Sequence, residues 1–396
     1  MQKITTDKPV VVFSLLGILA LSLFLQHEFN IKQSLLFLTG VGLGLSLMHA
    51  LFGFTGAWRV FIRDRNSAGI RAQIWLIGLS SLLFYPVIAG VFPSLSAGAA
   101  MGQVGFSVLI GAFIFGIGMQ LGGGCGSGTL FTVGWGQVDM LVTLVFFIIG
   151  ATVGSAHLGW WLSLPNIGKV SLINEMGWLP ALITQLIVLF IIYRLVRLIE
   201  LKRRQKLSDF SAKIHQGNKV DQLIFGPWPI IWGVVGLTIF GFVTLLLAGY
   251  PWSITFAFGL WGSKIWNALG GDVSSWAYWS GGYPNKALNQ SVLADITTVM
   301  NFGVIAGAML AAALAGKYAP KDKVTRKRML TAIVGGLLLG YGARLAFGCN
   351  IGGLLGGIAS GSLHGWLWLV AGFSGSILGV KIRVWMNLDK PYGASV

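Results

Sequence analysis

The sequence predicts an all-α, polytopic membrane bundle with an inverted-topology repeat, broken and re-entrant helices and an hourglass-like shape. Hydrophobic residues fill 55% of its 396 positions and charged residues only 10%, whereas a soluble domain carries roughly a quarter charged residues. About ten apolar stretches reach the roughly 20 residues that a membrane-spanning helix needs. A glycine-rich motif also occurs once in each half. These observations exclude a water-soluble fold.

The first apolar stretch follows Lys3 and Lys8, as in a signal peptide. No small-residue cleavage site comes after it, so we interpret it as the first spanning helix. The predicted spans lie near residues 10–26, 31–52, 72–92, 105–123, 138–162, 178–198, 226–249, 291–315, 329–347 and 362–381.

Basic residues set the predicted orientation. The formal net charge is +16, but no basic run is interleaved with an exposed aromatic platform, so nucleic-acid binding is not expected. The cations instead lie in loops on one side of the membrane. By the positive-inside rule, we expect a protein of the cell inner membrane with both termini in the cytoplasm. They are Arg59, Arg63, Arg65, Arg71, Lys202, Arg203, Arg204, Lys206, Lys213, Lys317, Lys321, Lys323, Arg326, Lys327, Arg328, Lys381 and Arg383.

One long polar segment, 199–224, is interpreted as a cytoplasmic linker between a first half, 1–198, and a second half, 225–396. By the span count, the second half crosses the membrane in the opposite sense, and inverted repeats of this kind place substrate sites near the midplane. Aligning Cys125 with Cys349 matches Gly116 with Gly340, Gly118 with Gly342, Leu121 with Leu345, Gly124 with Gly348, Gly128 with Gly352 and Leu130 with Leu354; Phe52–Ala57 resembles Phe258–Ser263.

Each half carries a cysteine inside a predicted helix break. Five of the nine residues from Leu121 to Thr129 are glycine, and each costs a helix about 1 kcal/mol relative to alanine. An unwound backbone persists at membrane depth only where it is buried in protein or lines a polar cavity. We therefore expect a break followed by a short re-entrant piece over 130–135, a second break around Cys349, and an approach of the two thiols at a constriction.

Such breaks suit an anion. Helix N-termini and glycine-rich N–H nests bind oxyanions, and a thiol adds a weak S–H donor and a polarizable contact. An anion with oxyanion and soft sulfur character, such as thiosulfate, would use both. The alternative is that each cysteine is a small buried hydrophobe. The predicted pore residues here are Gly124, Cys125, Gly126, Ser127, Thr129, Gly348, Cys349 and Asn350.

Earlier breaks at 53–57 and 259–263 are expected to supply further walls, with Thr55, Ser263 and Lys264 as candidate contacts. Arg344, near the outer end of span nine, either draws in anions or snorkels to the interface. Asp295 is a candidate functional acid, although a helix-capping role explains it as well. For His49 and His364 we expect structural roles.

Catalytic motifs are missing from the sequence. It has no GxSxG, HExxH or P-loop lysine motif, so we expect neither an enzyme nor an ATP-driven pump, and no cofactor. The two cysteines are 224 residues apart, without a CxxC or histidine cluster, so no metal site is expected.

These motifs resemble the YeeE/YedE sulfur-transport family, whose characterised members take up thiosulfate. The resemblance covers residues from about 35 to 385 and rests on Gly116-x-Gly118 with Gly124-Cys125, on Gly340-x-Gly342-Ala343-Arg344 with Gly348-Cys349, and on Phe52-x-x-Thr55-Gly56. It implies an hourglass of helices in which Cys125 and Cys349 relay thiosulfate by S–H hydrogen bonds. Thiosulfate-taking relatives carry a third cysteine where this chain has Gly53.

The leading hypothesis is thus uptake of a small sulfur-containing anion, most of all thiosulfate. Two alternatives stay open. One is transport of a selenium or other sulfur species, because the stretch from Gly342 to Asn350 looks closer to the branch associated with selenium metabolism. The other is a membrane sulfur-transferase subunit that carries persulfide. Membrane lipid and a small soluble sulfur-carrier protein on the cytoplasmic side are the other expected partners.

Overall fold

The computed structural model describes residues 6–209, 219–319 and 324–389, so Lys3, Lys213, Lys321 and Lys323 lie outside the described residues. Seventeen α-helices run through these ranges. They are α1 Lys8–Glu28, α2 Ile31–His49, α3 Phe54–Asp64, α4 Ala68–Ile88, α5 Phe106–Gly122, α6 Gly126–Gly134, α7 Val138–Ser163, α8 Leu172–Met176, α9 Trp178–Arg204, α10 Lys219–Phe225, α11 Ile230–Ala248, α12 Thr255–Ala268, α13 Gly282–Asn289, α14 Ile296–Leu314, α15 Arg326–Leu345, α16 Gly356–Ala359 and α17 Leu363–Trp385.

Shorter elements also occur in the described ranges. A π-helix spans Asn350–Leu355 and a 3₁₀ turn spans Val292–Ala294. Strands β1, Gln103–Gly105, and β2, Asn166–Lys169, pair antiparallel, with Gln103 opposite Lys169. The molecule is therefore almost entirely helical, as predicted.

Ten apolar helical segments in the described ranges are long enough to cross a membrane, which confirms the predicted number. The apolar stretch of α1 is only 11% buried in the protein, whereas those of α2 and α14 are 72% buried. Because apolar surface that the protein leaves uncovered must face lipid, α1 lies at the periphery and α2 and α14 at the centre.

Polar side chains begin several of these helices. Asn30, Asp295 and Thr325 each accept a hydrogen bond from the backbone N–H three residues later, which satisfies a donor that a helix start leaves unpaired. Asp295 also accepts from the hydroxyl groups of Thr298 and Tyr283. The structure thus gives Asp295 the capping role.

Glycine lets the central helices approach closely. A Cβ added at Gly116 would lie 2.1 Å from Gly372 O, and one at Gly340 would lie 2.2 Å from Phe147 O. Small residues at such crossings allow backbone contact, which is the main source of helix association in lipid. Helices α5, α7, α15 and α17 therefore form one tight layer.

The two halves are inverted copies. Along the α5–α15 contact, Gly111 lies against Leu345 and Gly118 lies against Leu339, so the two helices are antiparallel. In the alignment on the cysteines, α5 and α15 are repeat mates. They therefore cross the bilayer in opposite senses, as the repeat predicted.

The predicted linker 199–224 is only partly described. Helix α9 continues through its first residues to Arg204, α10 occupies its end, and 210–218 lie outside the described residues. The division into halves at this segment stays a prediction.

Three local predictions are wrong. Of the break predicted at 53–57, residues 54–57 lie inside α3, and the break lies at 50–53. Residues 259–263 lie inside α12, and the break that precedes this helix lies at 249–254. The glycines of α12 pack against neighbours: a Cβ at Gly262 would lie 2.0 Å from Thr152 Oγ1. The re-entrant piece predicted for 130–135 begins earlier, because α6 starts at Gly126, directly after the cysteine.

Candidate functional site

The two cysteines have the same backbone conformation. Cys125 has φ −90° and ψ −166°, and Cys349 has φ −88° and ψ −166°; each residue is the N-cap of a short helix. In both copies the cysteine carbonyl accepts a 2.8 Å hydrogen bond from the N–H four residues later, of Thr129 and Gly353 respectively. The repeat seen in sequence is thus a repeat of local structure.

The glycine before each cysteine is required by close backbone packing. A Cβ at Gly124 would lie 2.9 Å from Thr129 N, and one at Gly348 would lie 2.6 Å from Gly353 N. Gly348 also has φ +142°, which side chains other than glycine rarely adopt. The chain therefore folds tightly over each short helix before entering it.

The breaks meet at the centre of the molecule. A Cβ at Gly126 would lie 2.8 Å from Cys349 Sγ and 3.4 Å from Ile254 Cγ2, so the Cys349 thiol lies against the residue that follows Cys125. Both cysteines are 0% exposed. The two Gly-Cys breaks therefore contact each other in the protein interior, as the predicted constriction requires.

Donor groups converge there. Ile351 N donates to Cys349 Sγ at 3.4 Å, and Ser127 Oγ lies 3.5 Å from Cys125 Sγ. The first-turn N–H groups of the short helices add partial positive charge. Thr129 Oγ1 instead donates to Cys125 O at 2.8 Å, so this hydroxyl stabilises the turn.

A cavity opens on each side of the constriction. The Cys125 cavity, about 450 Å³, is lined by Cys125, Thr55 and Met140. The Arg344 cavity, about 500 Å³, is lined by Arg344, Gly348 and Leu158. Met140 and Leu158 are 18 residues apart on α7, or about 27 Å at 1.5 Å per residue. The cavities therefore open toward opposite faces of the membrane.

Arg344 lies inside its cavity with 8% of the side chain exposed. Its guanidinium carbon stacks 4.3 Å from the Tyr278 ring centroid, and Nε and Nη2 have no hydrogen-bond partner among the described residues. Gly259 makes room for it, since a Cβ there would lie 1.7 Å from Nη2. A buried arginine that lines a cavity and keeps unpaired donors favours anion binding over snorkelling.

Three further predicted residues carry buried polar atoms that lack a hydrogen-bond partner within the described part of the chain. These atoms are Thr55 Oγ1, Ser263 Oγ, and Oδ1 and Nδ2 of Asn350. Because an unpaired buried polar group is costly, a bound substrate is one way to satisfy them. Thr55 lines the Cys125 cavity, Asn350 follows Cys349, and Ser263 lies on the buried face of α12.

Other candidates have structural partners. Lys264 Nζ donates to Leu288 O and Gln290 O, both at 2.6 Å, and so ties α12 to the segment after it. His364 Nδ1 lies 2.6 Å from Ser362 Oγ. The His49 ring packs 5.2 Å from the Trp228 ring. In the described ranges, no group of three or more His, Cys, Asp or Glu is placed to hold a metal ion.

Sequence reasoning missed two side-chain amides that hydrogen-bond to the breaks before α3 and α12. Gln73 Nε2 donates to Gly53 O at 3.3 Å, and Asn301 Nδ2 donates to Ile254 O at 3.0 Å. The two bonds are alike, because each joins a spanning helix, α4 or α14, to the N-cap residue of a short helix, α3 or α12. Polar residues inside apolar spans are functional suspects, and that signal was available for both amides.

Known proteins share this sequence pattern. The family model described as sulphur transport matches residues 49–378. A thiosulfate transporter, TsuA, from Spirochaeta thermophila is 28% identical over 83% of this chain and 92% of its own length. TsuA from Escherichia coli is 25% identical over 89% and 94%. A probable transporter, YedE, from Escherichia coli is 31% identical over 40% of this chain and 38% of its own.

The family match spans most of the chain, including both Gly-Cys breaks, and confirms the resemblance drawn from the motifs. Ten apolar helical segments in the described ranges agree with a multi-pass protein. The chain therefore belongs to the sulphur transport family and is a multi-pass membrane transporter of a sulfur compound, not an enzyme.

Proposed function

We propose that the protein takes up thiosulfate, relayed by S–H hydrogen bonds at Cys125 and Cys349. The observation that carries this proposal is the packing of Cys349 Sγ against Gly126, between two cavities that open to opposite faces. Both TsuA relatives are described as thiosulfate transporters. An anion that crosses here must pass both thiols in turn.

The chemistry of the constriction fits such a relay. An anion loses hydration there, at a cost of several kcal/mol unless donors replace the water. The S–H groups and the first-turn N–H groups of α6 and of the π-helix supply those donors. Since S–H is a weak donor, each contact breaks easily and the anion moves on without covalent chemistry.

The proposal includes an orientation in the cell inner membrane. The distribution of basic residues supports cytoplasmic termini by the positive-inside rule; in that orientation the Arg344 cavity faces outward and the Cys125 cavity faces the cytoplasm. A small soluble sulfur-carrier protein would then collect sulfur at the Cys125 side, and lipid would cover the exposed faces of α1 and α9. In this proposal the halves 1–198 and 225–396 each contribute one Gly-Cys break to the constriction.

The test is uptake of radiolabelled thiosulfate into proteoliposomes. Cys125→Ala and Cys349→Ala each remove one S–H donor, and a hydrogen bond to a charged group is worth about 1.5–3 kcal/mol, so uptake should fall about ten-fold or more. Ser155→Ala is the matched control, because its buried hydroxyl only bonds back to Ala151 O. Wild-type uptake by both cysteine variants would refute the relay.

A second cargo is favoured by one observation. The chain has Gly53, and no third thiol, in the Cys125 cavity. A selenium or other sulfur species that needs two contacts would fit this arrangement. Competition of unlabelled selenite, selenate, sulfite and sulfate against labelled thiosulfate separates the cargoes, since the true substrate competes most strongly. A persulfide on either cysteine by mass spectrometry would favour a sulfur-transferase role.

A further inference from the structure

A third cavity lies beside the Cys125 cavity and has a different character. The Arg59 cavity, about 450 Å³, is lined by the arginines Arg59, Arg328 and Arg383. It shares Gly123 and Met140 with the Cys125 cavity, so the two adjoin on the same side of the constriction. An anion that leaves Cys125 reaches this cavity without crossing the protein again.

The charges around the Arg59 cavity are unequal. Arg328 Nη2 donates to Asp139 Oδ2 at 2.7 Å. Arg383 binds Asp389 through two bonds of 2.7 and 2.9 Å. Arg59 forms no ion pair within the described residues. Three guanidinium groups thus face two carboxylates, and the positive charge left over belongs to Arg59.

Arg59 is held in place and yet incompletely bonded. Its Nε donates to Gln120 Oε1 at 3.1 Å, while Nη2 is buried without a partner in the described part of the chain. Arg383 Nη1 donates to the backbone oxygen of the same Gln120 at 2.9 Å. Gln120 therefore fixes two guanidinium groups side by side, and one keeps a desolvated donor for another acceptor.

The repeat relates this arrangement to Arg344. Gln120 and Arg344 each precede their cysteine by five residues, so they are repeat mates. In the second half α15 supplies the guanidinium itself, and in the first half Gln120 holds the guanidinium of Arg59, which α3 supplies. Each side of the constriction thus carries one guanidinium with an unpaired Nη2 among the described residues.

We propose that Arg59, with Arg328 and Arg383, forms a second subsite for a small tetrahedral oxyanion, on the opposite side of the constriction from Arg344. Guanidinium groups match the oxygen geometry of such anions. That thiosulfate binds at this subsite after it has passed Cys125 rests on the proposed function. Its ability to bind an oxyanion does not, and the experiment addresses that binding alone.

The experiment uses the full chain in nanodiscs with Cys125 and Cys349 replaced by alanine and one new thiol, Gln137→Cys, on the wall shared by the two cavities. Rates of modification are measured with an anionic and a cationic methanethiosulfonate reagent. Because the proposed thiol relay is removed in this background, the result does not depend on transport. Inorganic sulfate is the probe for binding.

The subsite predicts that Arg59→Gln lowers the ratio of anionic to cationic rate about five-fold or more, as expected for loss of a nearby charge. Arg63→Gln, on the same helix but paired with Asp64 at 2.7 Å, is the matched control and should leave the ratio unchanged. Arg59→Lys keeps the charge and should keep most of the ratio, which guards against a folding defect in Arg59→Gln.

Sulfate should slow modification of the parent protein and should not slow modification of Arg59→Gln. An unchanged ratio in Arg59→Gln would overturn the proposal. So would a lowered ratio without protection by sulfate in the parent, because Arg59 would then act only as a distant charge.

Discussion

At the scale of single residues, the missing side chain of Gly259 leaves the space that the Arg344 guanidinium occupies. The guanidinium Nη2 lies where a Cβ of residue 259 would stand, 1.7 Å away. Gly259→Ala should therefore displace Arg344 and raise the KM for thiosulfate about ten-fold, and Arg344→Gln should do so directly, since a hydrogen bond to a charged group is worth about 1.5–3 kcal/mol.

Kinetics of thiosulfate uptake check this pair. Gly241→Ala on α11 is the control, because a Cβ there meets nothing within 4 Å. A wild-type KM in Gly259→Ala, together with a raised KM in Arg344→Gln, would show that the two residues are not coupled.

Gly53 offers the second residue-scale prediction. It has extended φ −148° and ψ 141°, its added Cβ would meet nothing within 4 Å, and it lines the Cys125 cavity. Gly53→Cys should therefore express and melt like wild type and place a third thiol in the Cys125 cavity. We expect equal or faster thiosulfate uptake and weaker competition by other anions. A loss of thermal stability would show that the site is not open.

At the scale of elements, the tight turn before each short helix is the feature most sensitive to substitution. Gly348→Ala adds a Cβ 2.6 Å from Gly353 N at φ +142°, and strained backbone of this kind costs about 1–3 kcal/mol before any steric clash. The melting temperature of purified Gly348→Ala should fall clearly, while Gly56→Ala, whose Cβ meets nothing within 4 Å, should melt close to wild type. Equal melting would contradict the assigned turn.

The C-terminal segment gives a pH-dependent element. Burial would raise the pKa of Asp389, but hydrogen bonds and charge from Arg383 outweigh it and lower that pKa below 3.8. A carboxyl with a lowered folded-state pKa stabilises the fold above its unfolded pKa and loses that effect as pH falls through the folded value. Asp389→Asn should thus lower the melting temperature at pH 7 and differ little from wild type well below pH 3.8.

Sequence predicted the elements unevenly, for physical reasons. The spans and the Gly-Cys breaks were predictable, because length, hydropathy and clustered glycine are local properties. Helix α3 was taken for a loop, since Arg59, Arg63 and Asp64 give it the composition of one, although Trp58 and Phe61 pack against Phe373. Gly259 was wrongly predicted to break a helix. In the sequence, a glycine that leaves space for a neighbouring side chain cannot be told from one that ends a helix.

At the scale of the whole molecule, inversion explains why the site is symmetric in backbone and asymmetric in charge. The antiparallel pairing of α5 with α15 brings the two breaks in from opposite faces, so Cys125 lines one cavity and Gly348, next to Cys349, lines the other. The guanidinium groups come from different helices, Arg344 from α15 and Arg59 from α3. The alignment of the two halves showed the repeated backbone breaks but not the pairing of the two arginines, because Arg59 reaches its position through the tertiary contact with Gln120.

The last prediction concerns the orientation of the whole chain. The described ranges hold ten candidate spans, and an even number of crossings puts both ends on one side; the proposed orientation takes that side as cytoplasmic, because the basic residues gather there. A membrane-impermeant thiol reagent applied to intact spheroplasts should label Leu95→Cys, in the nearly uncharged loop after α4, and should label Lys206→Cys, after α9, only once the membrane is opened. Both positions are exposed in the structure, and Cys125→Ala with Cys349→Ala removes the native thiols. The reverse pattern would contradict the proposed orientation and place the Arg344 cavity on the cytoplasmic side.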